Sequence, residues 1–372
     1  MTTIDVIIPS YRLNEDFLLP ILSLDKPQDC YLNYIVIADN PGIEISDVFG
    51  PFMESGKLSI IKNTNNLGAP ISRNVGIDKG DSDWILFLDD DTVPNKNLIH
   101  QYVNAISNNK NEVPGFIGPT EFPPPRGIFE EGILSSDILT FFTLSRYYDE
   151  MAWGVTANIL VKREALNGVR FSDTFPKKGG GEDIDFCLNA ISGYKRRFVC
   201  VPNAKVIHPW WEGKINSYKR FFRWAFGDSL LPIIHPEYKY YNFPNVVEAI
   251  FIILVTYVIS YTFFDFGIPF IIPVLGIFFG ETIGEWLKQA ILKKDYSFRK
   301  AFVSMTVRAS NDLGRLIGNM SRKRLNGLFE RFDYFCDGKH VKHEKKWALI
   351  KFGLYITSII LFIEIYLIIA GG

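Results

Sequence analysis

Trp84-Ile85-Leu86-Phe87-Leu88-Asp89-Asp90-Asp91-Thr92 is the stretch on which the reading of this chain turns. Five apolar residues run without alternation, the pattern of a strand buried on both faces of a parallel sheet. Three adjacent carboxylates follow at once. Such neighbours repel one another and are costly unless a cation relieves them. Oxygen ligands suit Mg²⁺ or Mn²⁺, ions that commonly bridge protein carboxylates to phosphates. A solvated acidic turn explains one or two Asp after a strand. Three together, at the edge where α/β sheets bind ligands, point to a metal–phosphate site.

Working outward, Val6-Ile7-Ile8, Tyr34-Ile35-Val36-Ile37 and Leu58-Ser59-Ile60-Ile61 read as further buried parallel strands. Helical stretches over Asp16–Leu24, Val48–Glu54 and Ala69–Lys79 lie between them. This alternation predicts an α/β domain with a mostly parallel sheet, and its chemistry belongs just after Ile8, Ile37 and Leu88. Beyond a loop with four prolines at residues 119–127, Phe129–Tyr148 reads as one amphipathic helix. A strand over Ala157–Val161, a Gly-rich turn at Gly179–Gly181, a helix over Asp183–Ser192 and a strand over Arg197–Val201 follow, leading to His208.

The 372 residues carry a net charge of −1, which conceals an asymmetry. Residues 1–245 hold 24 Lys+Arg against 30 Asp+Glu, whereas residues 246–372 hold 16 against 11. An acidic front without a Lys/Arg stripe argues against nucleic acid as a partner. Val246–Phe264 and Phe352–Ala370 are long enough to cross a hydrocarbon core of ~30 Å. Phe266–Phe279, with Pro269 and Pro273, is a second arm of a hairpin, a broken helix or a re-entrant segment. Residues 281–351 contain all 16 basic residues of the back half, which by the positive-inside rule is cytoplasmic. Their apolar positions, as in Ser297–Leu325, suit either a lipid-headgroup surface or a packing surface. The four cysteines show no metal or redox spacing and read as reduced thiols, and no signal peptide precedes the strand at Ile4–Ile8. An integral membrane protein with its α/β domain on the cytosolic side is expected.

The motifs Val6-Ile7-Ile8-Pro9-Ser10-Tyr11, Ile37-Ala38-Asp39-Asn40, Asn66-Leu67-Gly68 through Arg73-Asn74-Val75-Gly76, and Leu88-Asp89-Asp90-Asp91 resemble family 2 glycosyltransferases of the GT-A fold. The resemblance continues through Gly154–Arg163 and Gly181-Glu182-Asp183-Ile184-Asp185, covering about the first 230 residues in the family's order. It implies a Rossmann-like GT-A catalytic domain, followed by an α-helical membrane region, and an inverting sugar transfer from a nucleotide-sugar donor. The expected segments are 1–213 for that domain and 214–245 for an interfacial amphipathic region. A transmembrane hairpin over 246–280, a basic helical segment over 281–346 and a final span over 347–372 complete them.

By position, the resemblance gives Pro9, Tyr11 and Asp39 to the donor nucleotide, Asp89 or Asp90 to its ribose or phosphates, and Asp91 to the divalent metal. Arg73 sits near the donor diphosphate or forms a salt bridge on its helix. Asp183 takes the place of the catalytic base, beside Glu182 at the acceptor. Three glycines before these acids allow close approach of backbone and substrate, while the acids also favour a first helical turn. His208 completes the metal site in relatives; a lone histidine is also commonly structural. Membrane-bound processive synthases carry Gln-x-x-Arg-Trp where this chain has Arg220-Phe221-Phe222-Arg223-Trp224. Arg223 would then contact the diphosphate and Trp224 would stack on an acceptor sugar, while Arg220 in place of Gln argues for single or limited transfer. The expected partners are a nucleotide-sugar donor, a lipid-linked or glycan acceptor and membrane lipids. A polyprenyl-phosphate sugar synthase, a processive synthase and a non-catalytic membrane scaffold are the rival readings.

Overall fold

The structure is a computed structural model that describes residues 1–109, 113–264 and 268–371. It forms two compact units, Met1–Pro124 with Leu139–Trp211, and Pro125–Ile138 with Glu212–Gly372. Residues 125–138, within the expected first domain, thus group with the second unit.

In the first unit the chain runs β1 (Thr2–Ser10), α1 (Glu15–Leu22), β2 (Cys30–Ala38), α2 (Gly50–Glu54), β3 (Leu58–Lys62), α3 (Ala69–Lys79) and β4 (Trp84–Leu88). Next come β5 (Val93–Pro94), α4 (Leu98–Asn108), β6 (Gly115–Ile117) and β7 (Thr120–Glu121). The chain leaves for α5 (Ile128–Ser135) and returns with α6 (Thr140–Thr143), β8 (Glu150–Met151), β9 (Asn158–Lys162) and α7 (Arg163–Leu166). The unit closes with α8 (Glu182–Ala190), β10 (Phe198–Cys200) and β11 (Val206–Ile207).

Eight strands make one sheet in the order β3-β2-β1-β4-β9-β6-β10-β8. The first four are parallel, with Ile7 opposite Ile35 on one side and Phe87 on the other. β9 runs antiparallel between β4 and β6. Every residue of β4 is buried, as its unbroken apolar run requires. The chain order reverses between β1 and β4, and that topological switch is where a ligand crevice forms. At the opposite end, Asp5 is fully buried but receives Arg163, Asn33 and both the backbone N–H and hydroxyl of Ser82. It is a structural carboxylate.

The helix expected over Phe129–Tyr148 is instead broken into α5, α6 and a 3-10 turn at Leu144–Arg146. Asp137 adopts φ 64°, a left-handed conformation that no α-helix continues through. Lys288 and Lys293 hold its carboxylate at 3.3 and 2.5 Å.

The second unit also contains α9 (Lys214–Asp228), α10 (Leu231–Ile234), β12 (Lys239–Tyr241), α11 (Val246–Phe264), α12 (Ile271–Lys293), α13 (Phe298–Ser321), β13 (Glu330–Phe332) and α14 (Lys339–Gly371). Residues 265–267, which include the start of the expected Phe266–Phe279 segment, lie outside the described residues. The rest of that segment runs into a 23-residue helix that continues past residue 280. Pro273 stands at the third helical position, where no intrahelical N–H bond is lost. α12 packs on α14 through Gly276, Gly280 and Gly284, where a Cβ would approach the backbone of Ile359 and Leu354 or the side chain of Lys351 at 2.7–2.8 Å. Beside that seam, Lys351 reaches Glu281 at 2.8 Å and also Glu285, which in turn receives Ser304 at 2.9 Å and Arg308 at 3.3 Å.

One helix, α13, covers most of Ser297–Leu325, capped by Ser297. Its Gly314 leaves no room for a Cβ against the Phe222 carbonyl of α9, so this face is a packing surface. Glu248 and Asn245 form a reciprocal capping box at the start of α11. The same carboxylate takes Arg315 at 3.2 Å and Arg331 at 2.6 Å. Among the described residues, two helices are long and apolar enough to cross a membrane, Val246–Phe263 and Lys339–Ala370. The second begins thirteen residues before the expected span at Phe352, because a basic segment from Lys339 continues into the same helix.

Candidate functional site

The parallel register brings the carboxyl ends of β1, β2 and β4 side by side, and with them Ser10, Asp39 and Asp89–Asp91. Across the switch, the Ser10 hydroxyl donates to Asp90 Oδ2 at 2.6 Å. Burial pushes the Asp90 carboxyl up to about 6; the Ser10 hydrogen bond opposes this and the Asp91 charge adds to it. Asp89 receives the Arg73 guanidinium at 2.8 Å. Asp91 lies 3.3 Å from His208 Nε2 and 3.9 Å from the exposed Arg12.

His208 reaches the acids because β11 pairs with β5, setting Ile207 opposite Val93 one residue after Thr92. Phe122 and Trp211 flank its ring at 5.7 and 5.4 Å. Its Nδ1 lies 2.7 Å from the Pro209 carbonyl, which can only accept, so that nitrogen carries the hydrogen. Nε2 faces the Asp91 carboxylate at 3.3 Å, a relation that a cation or a hydrogen on Nε2 satisfies. Asp89, Asp91 and His208 each offer one ligand atom, all within 4.8 Å of one another. Two oxygens and an imidazole nitrogen fit Mn²⁺ well and Mg²⁺ less naturally.

Asp39 is buried and already receives Asn63 Nδ2 at 2.8 Å and the backbone N–H groups of Leu67 at 2.7 Å and Gly68 at 2.8 Å. It pins the loop that opens α3. Pro9 is buried in β1, whereas Tyr11 is exposed beside Asn40, which donates to its carbonyl at 3.5 Å.

Gly179, Gly180 and Gly181 have φ of 87°, 126° and 85°, a run that residues with a Cβ do not sustain. It delivers Glu182 and Asp183 to the first turn of α8. Asp183 is half-buried, with Oδ2 receiving the Thr156 backbone N–H at 3.1 Å and Oδ1 its hydroxyl at 3.0 Å. Burial raises its pKa, and the charge of Arg73 is the largest opposing influence. Glu182 is buried and, with the Asp183 charge beside it, is pushed up to about 8. Arg73 therefore acts on both acid groups, Asp89 directly and Glu182–Asp183 by its field. Its Nε has no hydrogen-bond partner among the described residues, although the side chain is almost fully buried.

Arg223 and Trp224 lie on α9 in the second unit. The Trp224 ring meets Phe221 edge-on at 5.6 Å, and Arg223 Nε is buried without a hydrogen-bond partner among the described residues. Ser10, Arg12, Asn63 and Thr156 are site residues that the sequence reading did not single out. Ser10 and Thr156 stand inside motifs quoted for the resemblance, a signal that was available. Arg12 carries no signal of its own.

Residues 5–169 match the model of the family described as Glycosyl transferase family 2. An uncharacterized glycosyltransferase of Haemophilus influenzae is 32% identical over 109 residues, 29% of this chain. The chain spans about a third of that relative's length, 36%. Among solved structures, Staphylococcus aureus TarS 1-349 is similar with a TM-score of 0.45 and 15% identity, over 87% of this chain and 91% of that one. A mannosyltransferase from Pyrobaculum calidifontis, in complex with GDP-Man and Mn²⁺, is similar with a TM-score of 0.48 and 15% identity, over 84% and 86% of the two chains.

Proposed function

We propose that the chain is a metal-dependent, inverting glycosyltransferase that moves a sugar from a nucleotide-sugar donor to a hydroxyl of a lipid-linked or membrane-associated glycan. The observation that carries this reading is the meeting of Asp89, Asp91 and His208 at the switch point of a family 2 domain. A divalent cation held there supplies positive charge to the departing nucleoside diphosphate.

The chain's own groups do the remaining work. Asp183 takes the proton of the acceptor hydroxyl as that oxygen attacks the anomeric carbon. Thr156 fixes both oxygens of this carboxylate, and Arg73 favours its charged form. Glu182 orients the acceptor. Pro9, Tyr11 and Asp39 form the donor-nucleotide side, with Asp89 or Asp90 at the ribose or phosphates. Arg223 contributes to the diphosphate and Trp224 to the acceptor sugar. The apolar helices α11 and α14 support an anchored protein, and the basic segment between them supports a cytosolic catalytic domain. A phosphate acceptor needs no strong base, which disfavours a polyprenyl-phosphate sugar synthase, and Arg220 disfavours a processive synthase.

The test is nucleoside diphosphate release by detergent-purified protein offered UDP-, GDP- and dTDP-sugars with Mn²⁺ or Mg²⁺ and membrane lipid extract. The expected result is release from one donor that requires metal and is lost in Asp91→Ala, with extract-stimulated transfer lost in Asp183→Asn. Absence of both release and nucleotide–metal binding would leave the scaffold reading in its place.

A further inference from the structure

An apolar groove of about 770 Å³ opens among α11, α12 and α14, within the second unit. That volume lies in the ~300–1,000 Å³ range of ligand pockets. Its walls include Ile253, Ile277, Phe352, Ile356 and Ile359, and its polar end is Lys345. Lys345 and Ile359 line the same helix fourteen residues apart, roughly 21 Å at 1.5 Å per residue. One end is therefore cationic and the other is hydrocarbon.

Two of the three helices that form the groove are long and apolar enough to cross a membrane, and only 17% and 11% of their apolar windows are buried by the rest of the chain. A groove open along such helices faces lipid chains. Lys339, Lys342 and Lys346 join Lys345 in the first turns of α14, immediately before its apolar run. Basic clusters in that position attract anionic headgroups. The Lys345 ammonium lies 5.9 Å from the Tyr240 ring centroid, a contact that restrains its long stem near the mouth.

We propose that this groove holds one hydrocarbon chain of a membrane phospholipid whose headgroup is net anionic, with the phosphate paired to Lys345. The bound lipid need not be the acceptor of the transfer reaction. Its shape supplies chain retention, and its single cationic end supplies headgroup selectivity.

The experiment is native mass spectrometry of the full chain in mild detergent, loaded from mixed micelles of phosphatidylglycerol or phosphatidylcholine with matched chains. One phosphatidylglycerol should remain per protein, favoured over phosphatidylcholine by about ten-fold. Ile253→Trp and Ile356→Trp fill the groove and should lose the lipid. Lys345→Glu should retain both lipids alike or prefer phosphatidylcholine. Ile360→Trp, at an exposed position of the same helix outside the groove, should behave as the unaltered chain and so report that folding survives a tryptophan on α14. Equal retention of the two lipids by the unaltered chain, undiminished retention in both groove-filling variants, or a lipid-free dimer would each overturn the proposal.

Discussion

At the carboxyl edge of the sheet, Asp89, Glu182 and Asp183 face Arg73, while Asp90 and Asp91 face Arg12 at the exposed rim. In the helical unit, Glu248 sits between Arg315 and Arg331, while Glu281 and Glu285 share Lys351, with Arg308 and Ser304 completing Glu285. Both regions bury acids, and their charge balance is opposite. The helical acids are matched by cations of the chain itself, as buried charges must be if they are only structural. The sheet-edge acids outnumber the guanidinium groups that face them, and burial drives Asp90, Glu182 and Asp183 toward their protonated forms. An excess of acid beside an imidazole nitrogen is a request for an external cation; a closed set of ion pairs is a staple.

Substitutions that separate these two uses of charge would break or sharpen the contrast. The largest effect is expected for Asp183→Asn, which keeps the shape and the Thr156 hydroxyl contact but removes the carboxylate proposed as base. Transfer should fall by roughly 10²–10⁴-fold with the unfolding midpoint little changed, and a rate within a few-fold of normal would remove Asp183 from the chemistry. Glu248→Ala should do the reverse. Leaving Arg331 buried without its carboxylate, and Arg315 with Asp312 alone at 3.4 Å, costs about 3–5 kcal/mol, read from unfolding in detergent, with turnover per folded molecule preserved.

A third variant, His208→Ala, should weaken Mn²⁺ binding by at least the roughly 10–100-fold that even an outer partner of a metal site contributes. Calorimetric titration of Mn²⁺ in the presence of nucleoside diphosphate would read it, and unchanged affinity would make His208 structural. The smallest effect is expected for Arg170→Ala, which breaks a solvent-exposed pair with Asp78. Exposed pairs contribute about 0.2–1 kcal/mol, so thermal unfolding should barely move. A large loss there would mean that burial does not decide which charges matter.

The sheet was legible because its central strands are continuous apolar runs. α3 and α11 match the helices read over Ala69–Lys79 and Val246–Phe264 residue for residue. The site was legible in its motifs but not in the contacts that assemble it. β5 and β11 are two residues each, too short for any periodicity, yet their pairing sets His208 beside Asp91. The break at Asp137 was equally hidden, since the lysines that hold it lie some 150 residues away. Hydropathy marks Glu281, Glu285 and Lys351 as separate polar interruptions, and only packing reveals them as one neutralised set.

The detour through α5 gives this chain a clock. Ile133 of α5 is covered and Gly132 abuts Val303 of α13, yet some 160 residues separate the two helices in sequence. At a synthesis rate of about 5–20 residues per second, α5 leaves the ribosome roughly 8–30 s before its neighbour exists. During that interval the sheet on either side of the detour can form, but the detour has only Lys214 and Tyr218 of α9 against Phe129 and lacks its α13 partner. A truncated product ending near Trp211 would carry that waiting helix permanently, which makes the excised catalytic half a poorer folding substrate than its well-packed sheet suggests.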